Sequence, residues 1–254
     1  MHGVQLEDLT WLEAKAWFDQ GRVVVIPIGA IAKEHGHHLP LKTDWLIARE
    51  LGRRVAEALP VVVAPVLSMG YYPAFVRYPG SQHLSAPTFT AVLTETFAKF
   101  RRDGVRHMAV INTGVSTEAP LRVAVRDFYE ATGQRVYTAD IRTLGRRGAA
   151  GLDQKLGGHG DEGETSMILA IAPETVRMGR AVTDYGHQLD LPLTCFYEPT
   201  VFDGDPASGA DYSVSGVRGD PTLATAEKGR VILDSMTEDL IQGLRALFPA
   251  ALAG

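Results

Sequence analysis

Residues 22–60 read RVVVIPIGAIAKEHGHHLPLKTDWLIARELGRRVAEALP. The stretch opens with an unbroken apolar, β-branched run, Val23 to Ile28, the mark of a strand covered on both faces. It closes with a segment in which Trp45, Leu46, Leu51, Val55 and Leu59 fall roughly on one side of a helix, ended by Pro60. A polar loop joins the two. The same unit recurs down the chain: strand VVVAPVLS (61–68) with helix TFTAVLTETFAKFRRDG (88–104), strand HMAVIN (107–112) with helix EAPLRVAVRDFYEATG (118–133), and strand RVYTAD (135–140) with helix ETSMILAIAP (164–173). Ahead of them, Thr10 and Glu13 form a capping-box pattern for a helix that stops at Gly21. After residue 180 the pattern weakens, and DPTLATAEKGRVILDSMTEDLIQGLRALF (220–248) closes the chain as a long helix with Pro221 suited to its first turn. Strands alternating with crossover helices predict an α/β protein, a three-layer α/β/α sandwich with a mostly parallel central sheet, in a single domain over residues 1–254.

Composition narrows the function classes. A net charge of −5 with no basic stripe argues against a nucleic-acid partner. The one cysteine, Cys195, excludes an intramolecular disulfide and a cysteine zinc cluster, and nothing around it suggests activation. The first residues lack a basic segment followed by an apolar one, and apolar runs such as VVVIPIGAIA are far too short to span a bilayer. The expectation is a cytoplasmic protein with no membrane partner.

In a parallel sheet, ligands bind beyond the carboxyl ends of the strands. The loops there are 29–43, 68–86, 113–117 and 140–160. The first carries Glu34, His35, His37 and His38, with Asp44 just beyond it at the start of a helix. Imidazole with carboxylate suits zinc, manganese or iron, although Asp44 at a helix start also suits an N-cap. A second cluster, GGHGDEGETS (157–166), gathers His159, Asp161, Glu162 and Glu164 behind a run of glycines. Acidic residues favour helix N-termini in any case, but these exceed what capping needs. Together the loops could supply three ligands, His35, Asp44 and Glu162.

These stretches are similar to the creatininase (creatinine amidohydrolase) family. PIGAIAKEHGHHLPLKTD resembles its P-x-G-S-x-E-x-H-G-x-H-L-P-x-x-x-D pattern, and HGDEGETS resembles its H-A-G-E-x-E-T-S. YPGSQHLS and GVRGDPTLATAEKG resemble two further family loops. The resemblance implies a layered α/β/α fold, a homo-oligomer that is often a hexamer, and a centre of one or two divalent ions, zinc foremost with manganese or iron(II) as alternatives. It implies hydrolysis of an amide, lactam or formamide C–N bond in a small molecule.

Carried over position by position, His35, Asp44 and Glu162 match metal ligands, with Asp44 at the place of a bridging residue. His159 matches a histidine that serves the reaction, and Glu164 matches the glutamate of E-T-S; both are expected to be catalytic. Two positions depart from the pattern. Lys33 stands where a glutamate ligand is expected, with Glu34 next to it as a replacement candidate, and NTGVST puts Gly114 where a histidine is expected. Both departures fall on one of the two ions. The implied arrangement keeps one ion and lets the Lys33 ammonium offset carboxylate charge. A non-catalytic small-molecule-binding or structural subunit is the alternative.

Lys33, Ser116 and Arg77 are the candidate substrate contacts. Ser116 or Thr117 also suits ordinary capping. Tyr71, Tyr72, Phe75 and Tyr78 could wall a pocket or an oligomer interface, and His83 lies in a loop near the site. His38 is expected to brace its loop. His37 is uncommitted, and His2, His107 and His187 carry no signal.

Overall fold

The computed structural model describes residues 2–185, 205, 207 and 213–253. Cys195 and His187 lie outside the described residues, as does much of the patternless stretch 180–220. Five parallel strands form one sheet in the order β1-β3-β2-β4-β5: β1 Val4–Gln5, β2 Val24–Ile28, β3 Val62–Val63, β4 Met108–Asn112 and β5 Val136–Asp140. The main helices are α1 Trp11–Asp19, α2 Thr43–Ala58, α3 Ala86–Arg102, α4 Glu118–Thr132, α5 Arg146–Ala149, α6 Glu162–Ile171, α7 Ala226–Leu247 and α8 Pro249–Leu252.

The period-2 alternation of the strands divides the core into two. Val23, Val25, Val63, Ala109 and Ile111 point to one face, where α2, α6 and α7 cover them. Val24, Ile26, Ile28, Val62, Met108 and Val110 point to the other, where Phe89, Leu93 and Phe97 of α3 and Leu121, Ala124 and Phe128 of α4 close over them. Both sides of the sheet are therefore apolar, which explains why its strands read as continuous hydrophobic runs. The three-layer α/β/α expectation holds, and every described strand pair is parallel.

Several details differ from expectation for identifiable reasons. The strand expected at 61–68 forms ladder pairs only at Val62–Val63. Pro65 has no amide to donate, and only Leu67 rejoins the sheet, as an isolated bridge to Ile28. Pro221 begins a separate 3-10 turn, Pro221–Leu223, capped by Asp220; α7 starts later, with Thr225 accepting from the Lys228 amide. The Thr10–Glu13 capping box forms as expected. Among the described residues, no helix is long and apolar enough to cross a membrane.

This topology locates the site. β2 and β4 are neighbours in register from Val24↔Met108 to Ile28↔Asn112. The chain leaves β2 through α2 on one face and leaves β4 through α4 on the other. Their carboxyl ends therefore diverge, and that divergence opens the crevice in which such sheets bind ligands.

Candidate active site

The loop after β2 dives into this crevice instead of running over the surface. Lys33, Glu34, His35 and His38 are all buried, as is Asp44 in the first turn of α2. Asp44 caps nothing; the N-cap position is Lys42, without a side-chain bond. Its carboxylate is held between two partners, with Lys33 Nζ donating to Oδ2 at 2.8 Å and His35 Nε2 lying 2.9 Å from Oδ1. Burial alone would raise the Asp44 pKa, but the Lys33 ammonium and then His35 outweigh it and hold the carboxyl below its usual range. Burial would likewise lower Lys33 and His35, yet the Asp44 charge, with help from Glu164, brings both out above their ordinary values. Loop and helix can come this close because residue 29 is glycine. A Cβ there would lie 2.4 Å from the Asp44 carbonyl oxygen.

The second cluster meets the first from the other side. His159 stacks beside His35 with ring centroids 4.7 Å apart, and Phe75 lies over His159 at 4.2 Å. Lys33 Nζ sits 5.0 Å from the centre of the same phenyl ring. His159 Nε2 is 2.8 Å from the Glu34 carbonyl oxygen, and His35 Nδ1 is 2.9 Å from that of Lys33. A carbonyl oxygen can only accept, so both nitrogens carry hydrogen, which leaves His159 Nδ1 and His35 Nε2 as the ring nitrogens that can ligate when unprotonated. Donor atoms of His35, His159 and Glu164 all lie within 4.8 Å of one another.

The structure thus regroups the expected ligands. Glu162, though fully buried, faces away from His35. Its Oε2 accepts the Asp153 and Gln154 amides at 2.9 and 2.7 Å, and its Oε1 pairs with Lys228 of α7. Two residues along the same turn, Glu164 takes the Gly160 amide at 2.6 Å and reaches the histidines. Asp161 is the N-cap of α6, accepting from the Glu164 amide. Glu34 bonds the Gly36 amide at 2.6 Å and approaches His159 Nε2 at 3.2 Å, so it braces His159 rather than joining the donor group. Burial would raise its pKa, but His159 and His35 bring it below its usual value. Gly216, at φ +74°, makes room for this carboxylate, since a Cβ there would lie 2.2 Å from Glu34 Oε1.

His38 braces as expected, with its Nε2 2.8 Å from Thr165 Oγ1 on α6. Burial, reinforced by the neighbouring His35 and His37, lowers its pKa to about 4 and keeps the ring neutral. Gly114 lies in a closed hydrogen-bonded turn. Asn112 Nδ2 donates to the Gly114 carbonyl at 2.8 Å, and Thr117 Oγ1, 2.6 Å from that carbonyl and 2.5 Å from Asn112 Oδ1, shares its one hydrogen between them. Thr117 occupies the N-cap position of α4 but spends its hydroxyl on this turn and caps nothing.

A cavity of about 560 Å³ opens above the centre, with Lys33, His159 and Glu164 on its floor and Ser116, Tyr71 and Phe75 among its walls. Arg77 is exposed and is not among the lining residues. Arg218 and Glu118, which drew no attention in the sequence, do line it. Arg218 sits in the GVRGDP motif, but nothing local marks it. A larger groove of about 790 Å³ between α3 and α4 has Glu95 as its single charged lining residue, so volume alone does not locate the site.

The divalent-ion expectation can be tested on these residues. Histidines that bind metal almost always donate their other ring N–H to a carbonyl or carboxylate, and His35 and His159 both do so. His35 Nε2 faces a carboxylate oxygen at 2.9 Å, a place that a proton takes in the absence of an ion and that a divalent ion could fill instead. The donor set fits a divalent ion.

A parallel α/β sheet with a buried histidine–carboxylate centre at its switch point defines the class. The creatininase family model, described as creatinine amidohydrolase, matches residues 7–244, and the chain belongs to that family of hydrolases. Creatinine amidohydrolase of Pseudomonas putida is 28% identical over 95% of this chain and 96% of its own length. The mycofactocin precursor peptide peptidase of Mycobacterium ulcerans (strain Agy99) is 30% identical over 89% and 86%. The 3-dehydro-scyllo-inosose hydrolase of Thermotoga maritima is 25% identical over 98% and 86%. The solved structure described as "Creatininase Mn" superposes with a TM-score of 0.81 at 25% identity, covering 97% of this chain and 99% of that one.

Proposed function

We propose that this protein is a metal-dependent hydrolase of a C–N bond in a small molecule, with one divalent ion per chain, zinc or manganese, held by His35, His159 and Glu164. The observation that carries the reading is the pair of histidines anchored by backbone carbonyls, with a donor atom of each in one group with the Glu164 carboxylate. The Lys33 ammonium engages Asp44 Oδ2, and Oδ1, 2.9 Å from His35 Nε2, is left to face the ion beside that nitrogen. The Lys33 ammonium thereby supplies built-in positive charge where a second ion would otherwise be needed.

A divalent ion in this position supplies Lewis-acid polarisation of a carbonyl and lowers the pKa of water. The chain's own groups do the rest. Lys33 has donor capacity beyond its bond to Asp44 and lies on the cavity floor, placed to receive the oxygen that gains charge when the carbonyl is attacked. Glu164 accepts the Gly160 amide, which fixes its carboxylate beside the two histidines. Ser116, half-buried on the wall, offers a hydroxyl to orient the substrate. Phe75 covers His159 and excludes water from that side of the centre.

Metal analysis of purified protein, followed by release of amine from a panel of small amides and lactams, tests the reading. One equivalent per chain with turnover is expected. Two equivalents would remove the role given to Lys33. No metal and no turnover would favour a small-molecule-binding subunit instead. In His159→Ala, loss of metal together with activity is expected; retained metal with lost activity would make His159 a proton carrier rather than a ligand.

A further inference from the structure

We propose that Gln154 is a positioning residue of the centre: its side-chain amide, bonded to none of the ion's donors, keeps His159 and Glu164 at the separation at which both can ligate. This deepens the metal-centre reading and rests on it. His159 and Glu164 lie on either side of Asp161, and the Asp161 carboxylate binds the chain beside each. Its Oδ2 accepts the Gly158 amide at 3.0 Å, one residue before His159, and its Oδ1 accepts the Glu164 amide at 3.0 Å. The spacing of the two donors therefore depends on the orientation of one carboxylate. Gln154 fixes that orientation, with Nε2 donating to Asp161 Oδ2 at 2.8 Å.

The same amide ties in the other support of His159. The His159 backbone exchanges two hydrogen bonds with Arg218, at 2.8 and 3.2 Å. Gln154 Oε1 accepts the amide of Asp220, two residues past that bridge, and the Glu162 amide at the start of α6, both at 3.2 Å. Both acceptor sites of the oxygen are thus filled by backbone. One side chain joins Asp161, the first turn of α6 and the segment beyond Arg218. The space it needs is kept clear by glycine on two sides. A Cβ on Gly157 would lie 2.3 Å from Gln154 Nε2 and from Asp161 Oδ2, and one on Gly219 would lie 2.6 Å from Gln154 Oε1. The Gln154 backbone has its own anchor, since its amide donates to Glu162 Oε2 at 2.7 Å. Changing the side chain therefore removes the tie and leaves the turn that carries it.

Mn2+ titration of wild type, Gln154→Met and Asp161→Asn, singly and together, tests this. Gln154→Met keeps the length of the side chain and removes its polar groups. It should weaken Mn2+ binding roughly 10- to 100-fold, the cost of losing an outer partner, and shift the visible bands of the Co2+-loaded protein, which report ligand geometry. Because Gln154 acts through Asp161, the double variant should bind about as weakly as Asp161→Asn alone. Gln154→Asn keeps an amide on a shorter stem, should lose affinity by a smaller factor, and carries the test if Gln154→Met does not fold. A lower urea midpoint with unchanged Mn2+ affinity and Co2+ bands would mean a structural role only and overturns the proposal. So do losses that multiply in the double variant. The ring 15N signals of His159 in the metal-free protein separate this from the metal reading. Signals that move in Gln154→Met, with those of the distant His107 in place, in a protein that takes up no Mn2+ would leave the positioning role standing and sink the metal reading. Unmoved His159 signals overturn the positioning role whether or not metal binds.

Discussion

The loops that follow β2 and β4 leave neighbouring strands at the same level, Ile28 opposite Asn112, yet they are built on opposite principles. The first, residues 29–43, buries Lys33, Glu34 and His35 and delivers them against Asp44. The second, residues 113–117, contains no ionisable side chain and closes on itself through Asn112, Gly114 and Thr117. One loop concentrates charge, and the other shapes the space beside it. Buried charges remain in place only while every partner is present, whereas a neutral hydrogen-bonded turn degrades in small steps. The two loops should therefore respond to mutation on different scales.

The largest effect is expected at Asp44. Asp44→Ala leaves Lys33 and His35 buried without their shared carboxylate, and breaking such a group costs about 3–5 kcal/mol. Urea unfolding measures it. The corresponding change in the second loop, Asn112→Ala, unpairs neutral groups of Gly114 and Thr117, takes one donor at 3.1 Å from the Asp140 carboxylate, and should cost about 1–3 kcal/mol. Equal losses at the two positions would abolish the distinction between the loops.

How far the sequence reached follows the same line. The strand runs, the helix α2 and the loop between them were legible because their periods are local. Within the loops, the orientation of each charge was not. Glu162 and Glu164 sit in one helical turn with the same composition around them. Their division depends on Lys228, far along the chain, which claims Glu162 and leaves Glu164 to the histidines. Arg218 was missed because its relation to His159 is a backbone bridge between distant segments. The two-residue strand β1 has no pattern to detect, and only the proline within 61–68 hinted that β3 would be short.

That division of the carboxylates gives the next prediction. Glu164→Gln should weaken Mn2+ binding by at least the roughly 10–100-fold that loss of an outer partner costs, with little change in stability. Glu162→Gln should keep its metal and lose about 1–3 kcal/mol, because the charge facing Lys228 disappears. Titration calorimetry and urea unfolding on the two variants would expose a reversed pattern at once.

A smaller effect comes from His38, the brace of the first loop. Its folded pKa, about 4, lies below the ordinary value of about 6.5, so between these values the unfolded chain binds more protons. Its contribution is complete above about pH 6.5 and declines as pH falls toward 4. Unfolding free energy should therefore fall as pH is lowered across that window, and less steeply in His38→Gln. Parallel slopes for wild type and variant would show that the brace carries no such linkage.

The smallest effect tests the closure of the second loop. A Cβ on Gly114 would lie 2.9 Å from Thr117 Oγ1 and 3.4 Å from its methyl carbon, so Gly114→Ala must push Thr117 out of its bonds to Asn112 and Gly114. Losing one neutral hydrogen bond costs about 1 kcal/mol. Thr117→Ala removes the same bonds directly and also clears the space. If the turn is one closed unit, the two substitutions should cost little more together than either alone, a coupling of about 0.5 kcal/mol or more. Strict additivity would mean that Gly114 and Thr117 act separately. Metal content should stay constant across the whole cycle, because the ion's donors come from the first loop, α6 and the glycine-rich turn just before it; a change would tie Gly114 to the centre after all.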